Sequence, residues 1–147
     1  MTNIFLLEYE TRLRSWVDLR YKLLRLPTFD QAIEIDKFWQ RVPLQNYYLH
    51  PDFVKDWPDP WQLISDNLFC TYARALGMIY TFAMLDTKNI ELVEAKDDNS
   101  NEVVLVLVDD AKYVLNYWPE TVVNNRITDF VITRSLNISP LYSKIGL

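Results

Sequence analysis

The chain has 147 residues, half of them apolar, and a formal net charge of −5. That length is read as one compact domain, 1–147, able to bury its own core without metals or disulfides, and the acid excess argues against a broad nucleic-acid surface. Two glycines and one cysteine exclude glycine-rich phosphate loops, an internal disulfide and a thiolate metal cluster.

The charge is unevenly spread. Residues 1–27 carry five basic side chains (Arg12, Arg14, Arg20, Lys22, Arg25) against three acidic ones, and the remainder carries a net −7. The basic segment is read as solvated helix charge; nucleic-acid binding would need these cations gathered on one face. The first residues lack the pattern of a secretory leader, and no stretch is long enough to span a bilayer. The expectation is a soluble, cytoplasmic protein of a reducing compartment.

In chain order, residues 5–25 read as a helix with Leu6, Tyr9, Leu13, Trp16 and Val17 on one side. Thr28 and Gln31 have capping-box spacing and open a second helix to about Gln40, striped by Ala32, Ile35, Phe38 and Trp39. Residues 43–60 hold Pro43, Pro51, Pro58 and Pro60 in an irregular segment too aromatic to be a linker. Asp59, Pro60 and Gln62 then supply N-cap, first-turn proline and capping-box partner for a helix running through residues 63–76 and closed by Gly77. Residues 78–85 fit a buried strand or a further short helix.

After Asn89 the pattern changes to strands. Residues 90–95, 103–108 and 112–118 form an antiparallel meander punctuated by Asp97-Asp98-Asn99-Ser100-Asn101 and Asp109-Asp110, with 103–108 central. Residues 126–134 offer a fourth strand, and the tail from Ser135 reads as a loop with a loosely docked end. Helices first and strands afterwards is the α+β signature: two or three N-terminal helices packed on a small antiparallel sheet of three or four strands.

Cys70 is the one nucleophile candidate. On the expected helix it groups with Asp66, Asn67 and Arg74, and a guanidinium one turn along would stabilise a thiolate. His50 is the only histidine, so a small cysteine hydrolase would use the pair Cys70 and His50, oriented by Asp66. Against this, the expected helix buries Cys70 well inside it, whereas such nucleophiles sit at helix starts, and a packed cysteine is the plainer account. Residues 97–101 resemble a calcium loop but lack its glycine and distal glutamate. One histidine and one cysteine make a zinc site improbable, and no cofactor or metal is expected.

The aromatic residues carry the remaining signal. Tyr48, Trp57, Trp61, Tyr117 and Trp118 are the candidate binding residues, with Tyr48, Trp57 and Trp118 expected to line an exposed groove or an oligomer contact. The stretch Phe38-Trp39-Gln40, the run Trp57-Pro58-Asp59-Pro60-Trp61-Gln62-Leu63, the segment Cys70-Thr71-Tyr72-Ala73-Arg74-Ala75-Leu76-Gly77 and the later Tyr117-Trp118-Pro119 resemble small proteins carried by large tailed phages of aquatic bacteria. That resemblance implies a virion or assembly component, or an accessory protein binding a host or phage partner. The expected role is a non-enzymatic interaction or structural one, through residues 44–61 and the adjoining aromatic groove, with a protein partner or a second copy.

Overall fold

The structure, a computed structural model, describes residues 3–118 and 121–145; the side chains of Trp118 and Thr121 lie outside the description. Several helices pack on one face of a five-stranded antiparallel sheet. A 3-10 turn at Ile4–Leu6 leads into helix α1 (Tyr9–Leu23), followed by α2 (Thr28–Trp39). The capping box expected at Thr28 does not form. Pro27, held in extended backbone, is already the N-cap, and Gln31 Nε2 donates instead to the Leu23 carbonyl at 2.8 Å, tying α2 to the end of α1.

The single helix expected over residues 60–76 is two helices. Helix α3 (Pro60–Asp66) begins with the expected capping box, in which Asp59 Oδ1 accepts the Gln62 N–H at 2.8 Å and Gln62 Oε1 accepts the Asp59 N–H at 3.2 Å. It ends at Asn67, whose φ of 54° places it in the left-handed region that asparagine tolerates. Helix α4 (Thr71–Met84) then runs through residues 78–84, resolving that ambiguous stretch as helix.

Gly77 therefore closes nothing; it sits mid-helix. A Cβ there would lie 2.4 Å from the Trp39 ring, so the glycine permits α2 and α4 to approach. One turn further on, Thr81 is fully buried. Its hydroxyl accepts Trp16 Nε1–H at 2.9 Å and Trp39 Nε1–H at 3.0 Å and donates to the Gly77 carbonyl at 2.7 Å.

Strands β1 (Glu91–Lys96), β2 (Glu102–Val108) and β3 (Tyr113–Trp118) form the expected meander. It is flanked by an unforeseen β4 (Thr121–Asn124) and by β5 (Val131–Leu136), in the order β4-β3-β2-β1-β5. β2 is central, as its composition suggests: Val104, Val106 and Val108 face the helical core while Leu105 and Leu107 enter a second apolar cluster on the opposite face. That cluster is completed by Phe130 and Ile127 from the connection between the two edge strands. That connection carries the 3-10 turn at Ile127–Asp129.

The tail departs from expectation. Leu136, Ile138 and Leu141 are buried, and α5 (Ser139–Tyr142) follows β5. Three apolar residues at positions 136, 138 and 141 reach the helical core, which a loosely docked loop would leave open.

Thr81→Val leaves two buried indole N–H groups without an acceptor. It is expected to cost about 2–5 kcal/mol in urea unfolding, with Thr81→Ser recovering most of the loss; a neutral valine would rule out this junction as a stabilising element. Gly77→Ala should lower stability by about 1–3 kcal/mol through overpacking against Trp39, reversing the gain of about 1 kcal/mol that alanine brings to an open helix interior.

Candidate functional site

The break between α3 and α4 builds the site. Asn67 Nδ2 donates to the Phe5 carbonyl at 2.8 Å, fixing the left-handed turn. The chain then extends, with Phe69 forming a parallel bridge to Leu44 and its carbonyl accepting the Gln45 N–H at 2.9 Å. Cys70 consequently occupies the N-cap of α4 in extended backbone, with no side-chain cap on the helix. The start of α4 opens onto the end of the sheet, and between them lies a cleft of about 640 Å³, a size typical of ligand pockets.

Asn116 forms its floor. Its φ of 70° coincides with the register shift between β3 and β4, and the kink turns its peptide towards α2. The Asn116 N–H donates to Asp36 Oδ1 at 3.0 Å, and Nδ2 donates to the carbonyls of Val104 at 2.8 Å and Thr71 at 3.3 Å. Asn116 Oδ1 accepts Arg74 Nε–H at 2.6 Å. Asp36 is fully buried and also accepts Gln40 Nε2–H at 3.2 Å. Burial lowers the Arg74 pKa, and the neighbouring Asp36 carboxylate works against that shift, as does Cys70 to a smaller degree.

One wall is a chain of charged hydrogen bonds. Tyr72 donates to Glu94, which also takes Arg134 Nε at 2.9 Å, while Arg134 Nη1 reaches Asp52 Oδ1 at 2.8 Å. This links α4, β1, β5 and the 3-10 turn at Pro51–Asp56. Burial, followed by the Glu94 hydrogen bond and charge, raises the Tyr72 pKa well above the ordinary phenol value.

Of the residues singled out in the sequence, Tyr48, Cys70 and Tyr117 line this cleft. Tyr48 is 61 % exposed and meets Tyr72 edge-on at 6.2 Å. Tyr117 donates to Asp97 Oδ2 at 2.8 Å and packs against Phe130. Trp57 corrects the expectation of an exposed groove residue: it is 2 % exposed, because the turn at Pro51–Asp56 folds it inward, where Nε1 donates to the His50 carbonyl at 3.0 Å. Trp61 is 40 % exposed, but it lies against Trp16 rather than in the cleft. The Trp118 side chain lies outside the described residues.

The cysteine–histidine arrangement is not assembled. His50 is exposed and lies outside the cleft lining, with Nδ1 accepting the Asp52 N–H at 3.1 Å; Asp66 is exposed at the end of α3, also away from it. Among the described residues no group of three or more His, Cys, Asp and Glu is placed to hold a metal ion. The Asp97 carboxylate is instead taken up by its own hairpin, accepting the N–H groups of Asn99 and Asn101 at 2.9 Å each. Of the N-terminal cations, Arg12 is buried against backbone carbonyls, Arg20 stacks on Trp16 and Lys22 pairs with Glu34, while Arg14 and Arg25 are exposed.

Sequence reasoning missed Asp36, Asn116 and Glu94 as site residues. Two signals were present: a carboxylate at position 36 interrupts the apolar stripe of α2, and an asparagine at 116 sits inside a strand that disfavours it. No helix among the described residues is long and apolar enough to cross a membrane. Comparison with protein-family models, curated proteins and solved structures gives no match.

The raised pKa of Tyr72, and of Tyr80, which donates to the Pro58 carbonyl, has a defined sign. A folded-state pKa above the unfolded value near 10 means stability that is complete below about pH 10 and lost as the pH rises beyond it. Unfolding midpoints measured from pH 8 to 11 should fall above pH 10, and Tyr72→Phe should make that fall shallower. An unchanged slope in the variant would mean Tyr72 titrates as an ordinary exposed phenol.

Proposed function

We propose that this chain is a non-enzymatic binding protein that takes a short segment of a protein partner into the cleft between the first turn of α4 and the end of the sheet. The observation that carries this reading is the cleft itself, about 640 Å³ and bordered by Tyr48, Tyr72 and Tyr117. Tyrosine gives rigid contact area together with a polar end, which suits a recognition surface. Tyr48 lies on the irregular segment before α3, so the loop expected to act in recognition forms one rim. Placing the chain among proteins of large tailed phages rests on the residue resemblance alone; under it, the partner would be a virion or host protein.

The hydrolase alternative gains one point and lacks another. Cys70 stands at a helix start and faces the cleft, the position such nucleophiles favour, yet no imidazole lines that cleft. Binding without chemistry needs only the tyrosines that border the cleft.

Peptides selected from a random library on the wild-type chain should lose at least about tenfold in affinity, roughly 1.4 kcal/mol, on Tyr48→Ala by isothermal titration. Trp61→Ala, away from the cleft, should leave their affinity unchanged. Peptides that tolerate Tyr48→Ala but depend on Trp61 would move the binding surface to the α1–α3 side and sink this placement.

A further inference from the structure

The charged groups on the cleft wall other than Arg74 each have a charged partner or an opposite charge across the ladder, whereas Arg74 has the Asp36 carboxylate as a neighbour but, among the described residues, no ion pair with it. Glu94 is held by Tyr72 and Arg134, and Lys96 faces Glu102 across the β1–β2 ladder. Asp36 lies beneath the floor, turned to the Asn116 N–H and to Gln40. Arg74 is different. Its Nε is anchored on Asn116 Oδ1, and Asn116 is itself fixed by two carbonyls and Asp36. Among the described residues, however, neither Nη nitrogen makes a hydrogen bond or ion pair, and the side chain, half-buried, lines the cleft. A guanidinium clamped at one edge and open along the other is preorganised to receive a planar anion through paired N–H donors.

The surroundings add to this. The first turn of α4 has no side-chain cap, and Cys70 and Thr71, at the positive end of that helix, are both on the cleft wall. The guanidinium is partly desolvated, and an anion beside it would offset that cost. The charge balance selects the kind of anion. Glu94 and Glu102 on the walls and Asp36 beneath repel any anion at Arg74, and they repel a dianionic phosphate more strongly than a single-charge planar carboxylate.

We infer that the cleft contains a carboxylate subsite centred on Arg74, which receives the C-terminal carboxylate of the bound segment while the tyrosines hold its last side chains. This rests on the binding reading above and specifies its ligand: a free chain end rather than an internal loop.

The test uses the full chain, labelled with 15N, and simple probes. Sodium benzoate should shift the Arg74 Nε–H resonance and the amides of Thr71, Tyr72 and Ala73 saturably, and benzamide, its neutral isostere, should not. Arg74→Lys, which keeps the charge but loses the fork, should weaken benzoate at least about fivefold; the comparison of benzoate with benzamide on wild-type chain stands even if that variant fails to fold. Acetyl-Gly-Gly-Tyr with a free carboxylate should bind more tightly than benzoate and than its own C-terminal amide. Equal shifts from benzoate and benzamide would overturn the carboxylate subsite while leaving an aromatic binding cleft intact. Inorganic phosphate binding more tightly than benzoate would overturn the choice of anion. Benzoate matching the free-acid tripeptide would overturn the chain-end assignment in favour of a small free carboxylate.

Discussion

The Thr81 hydroxyl uses its full capacity, one donor and two acceptor positions, on three partners: the indoles of Trp16 and Trp39 and the carbonyl of Gly77. Because those indoles belong to α1 and α2 while the hydroxyl belongs to α4, three helices are oriented about one oxygen. The Trp39 ring lies over Gly77 and is met by Phe5, Phe38 and Phe69 at centroid distances of 5.2–6.0 Å. A β-branched apolar residue at 81 would fill the same volume, yet it would leave two buried donors unsatisfied, so the polar atom rather than the shape sets the helix arrangement.

That arrangement determines where Asp36 lies, one turn before Trp39 on α2. From there its carboxylate meets the Asn116 N–H that the left-handed kink in β3 turns towards it, and Asn116 in turn orients Arg74 on α4. The aromatic junction and the polar network are thus successive steps of one construction. Helices packed a turn out of register would lose the fit of Trp39 over Gly77 and leave Asp36 without the sheet amide. Buried networks of this kind favour one arrangement over near alternatives because each member is costly when left unpaired.

What could be read from the sequence follows from locality. The capping box at Asp59 and Gln62, the β2 run with both faces buried and the turn chemistry at residues 97–101 each depend on neighbours within a few positions, and each is present in the structure. The helix break at residues 67–70 was illegible because its causes are distant: the Phe5 carbonyl takes Asn67 Nδ2, and Leu44 bridges Phe69. Helical spacing continues through the break, so Trp61, Leu68 and Tyr72 read as one stripe although they lie on separate elements, with Trp61 and Leu68 exposed. The same distance dependence hid the cleft. Tyr48 was recognisable as an exposed aromatic on a proline-rich loop, whereas Trp57 on that loop was not separable from it by composition, because only the fold of Pro51–Asp56 decides which ring turns inward.

The basic N-terminal segment and the break at residue 67 have a common explanation. Arg12 is buried, and its guanidinium donates to the Ile64 carbonyl through Nε at 3.1 Å and Nη2 at 2.9 Å, to Ser65 at 3.2 Å and to Leu7 at 2.6 Å. Ile64 and Ser65 are in the last turn of α3, where carbonyls have no helical donor ahead of them once the helix stops. A cation there also opposes the negative end of the helix. Arg12 therefore stabilises the terminated form of α3 over the continuous helix that local propensity favours, at the expense of its own hydration, which lowers its pKa. A continuous helix would carry Cys70 and Arg74 along the α3 axis and leave no helix start facing the sheet. One cation of the segment read as solvated helix charge, Arg12, is thus buried at the end of a helix, and the cleft exists because that helix ends.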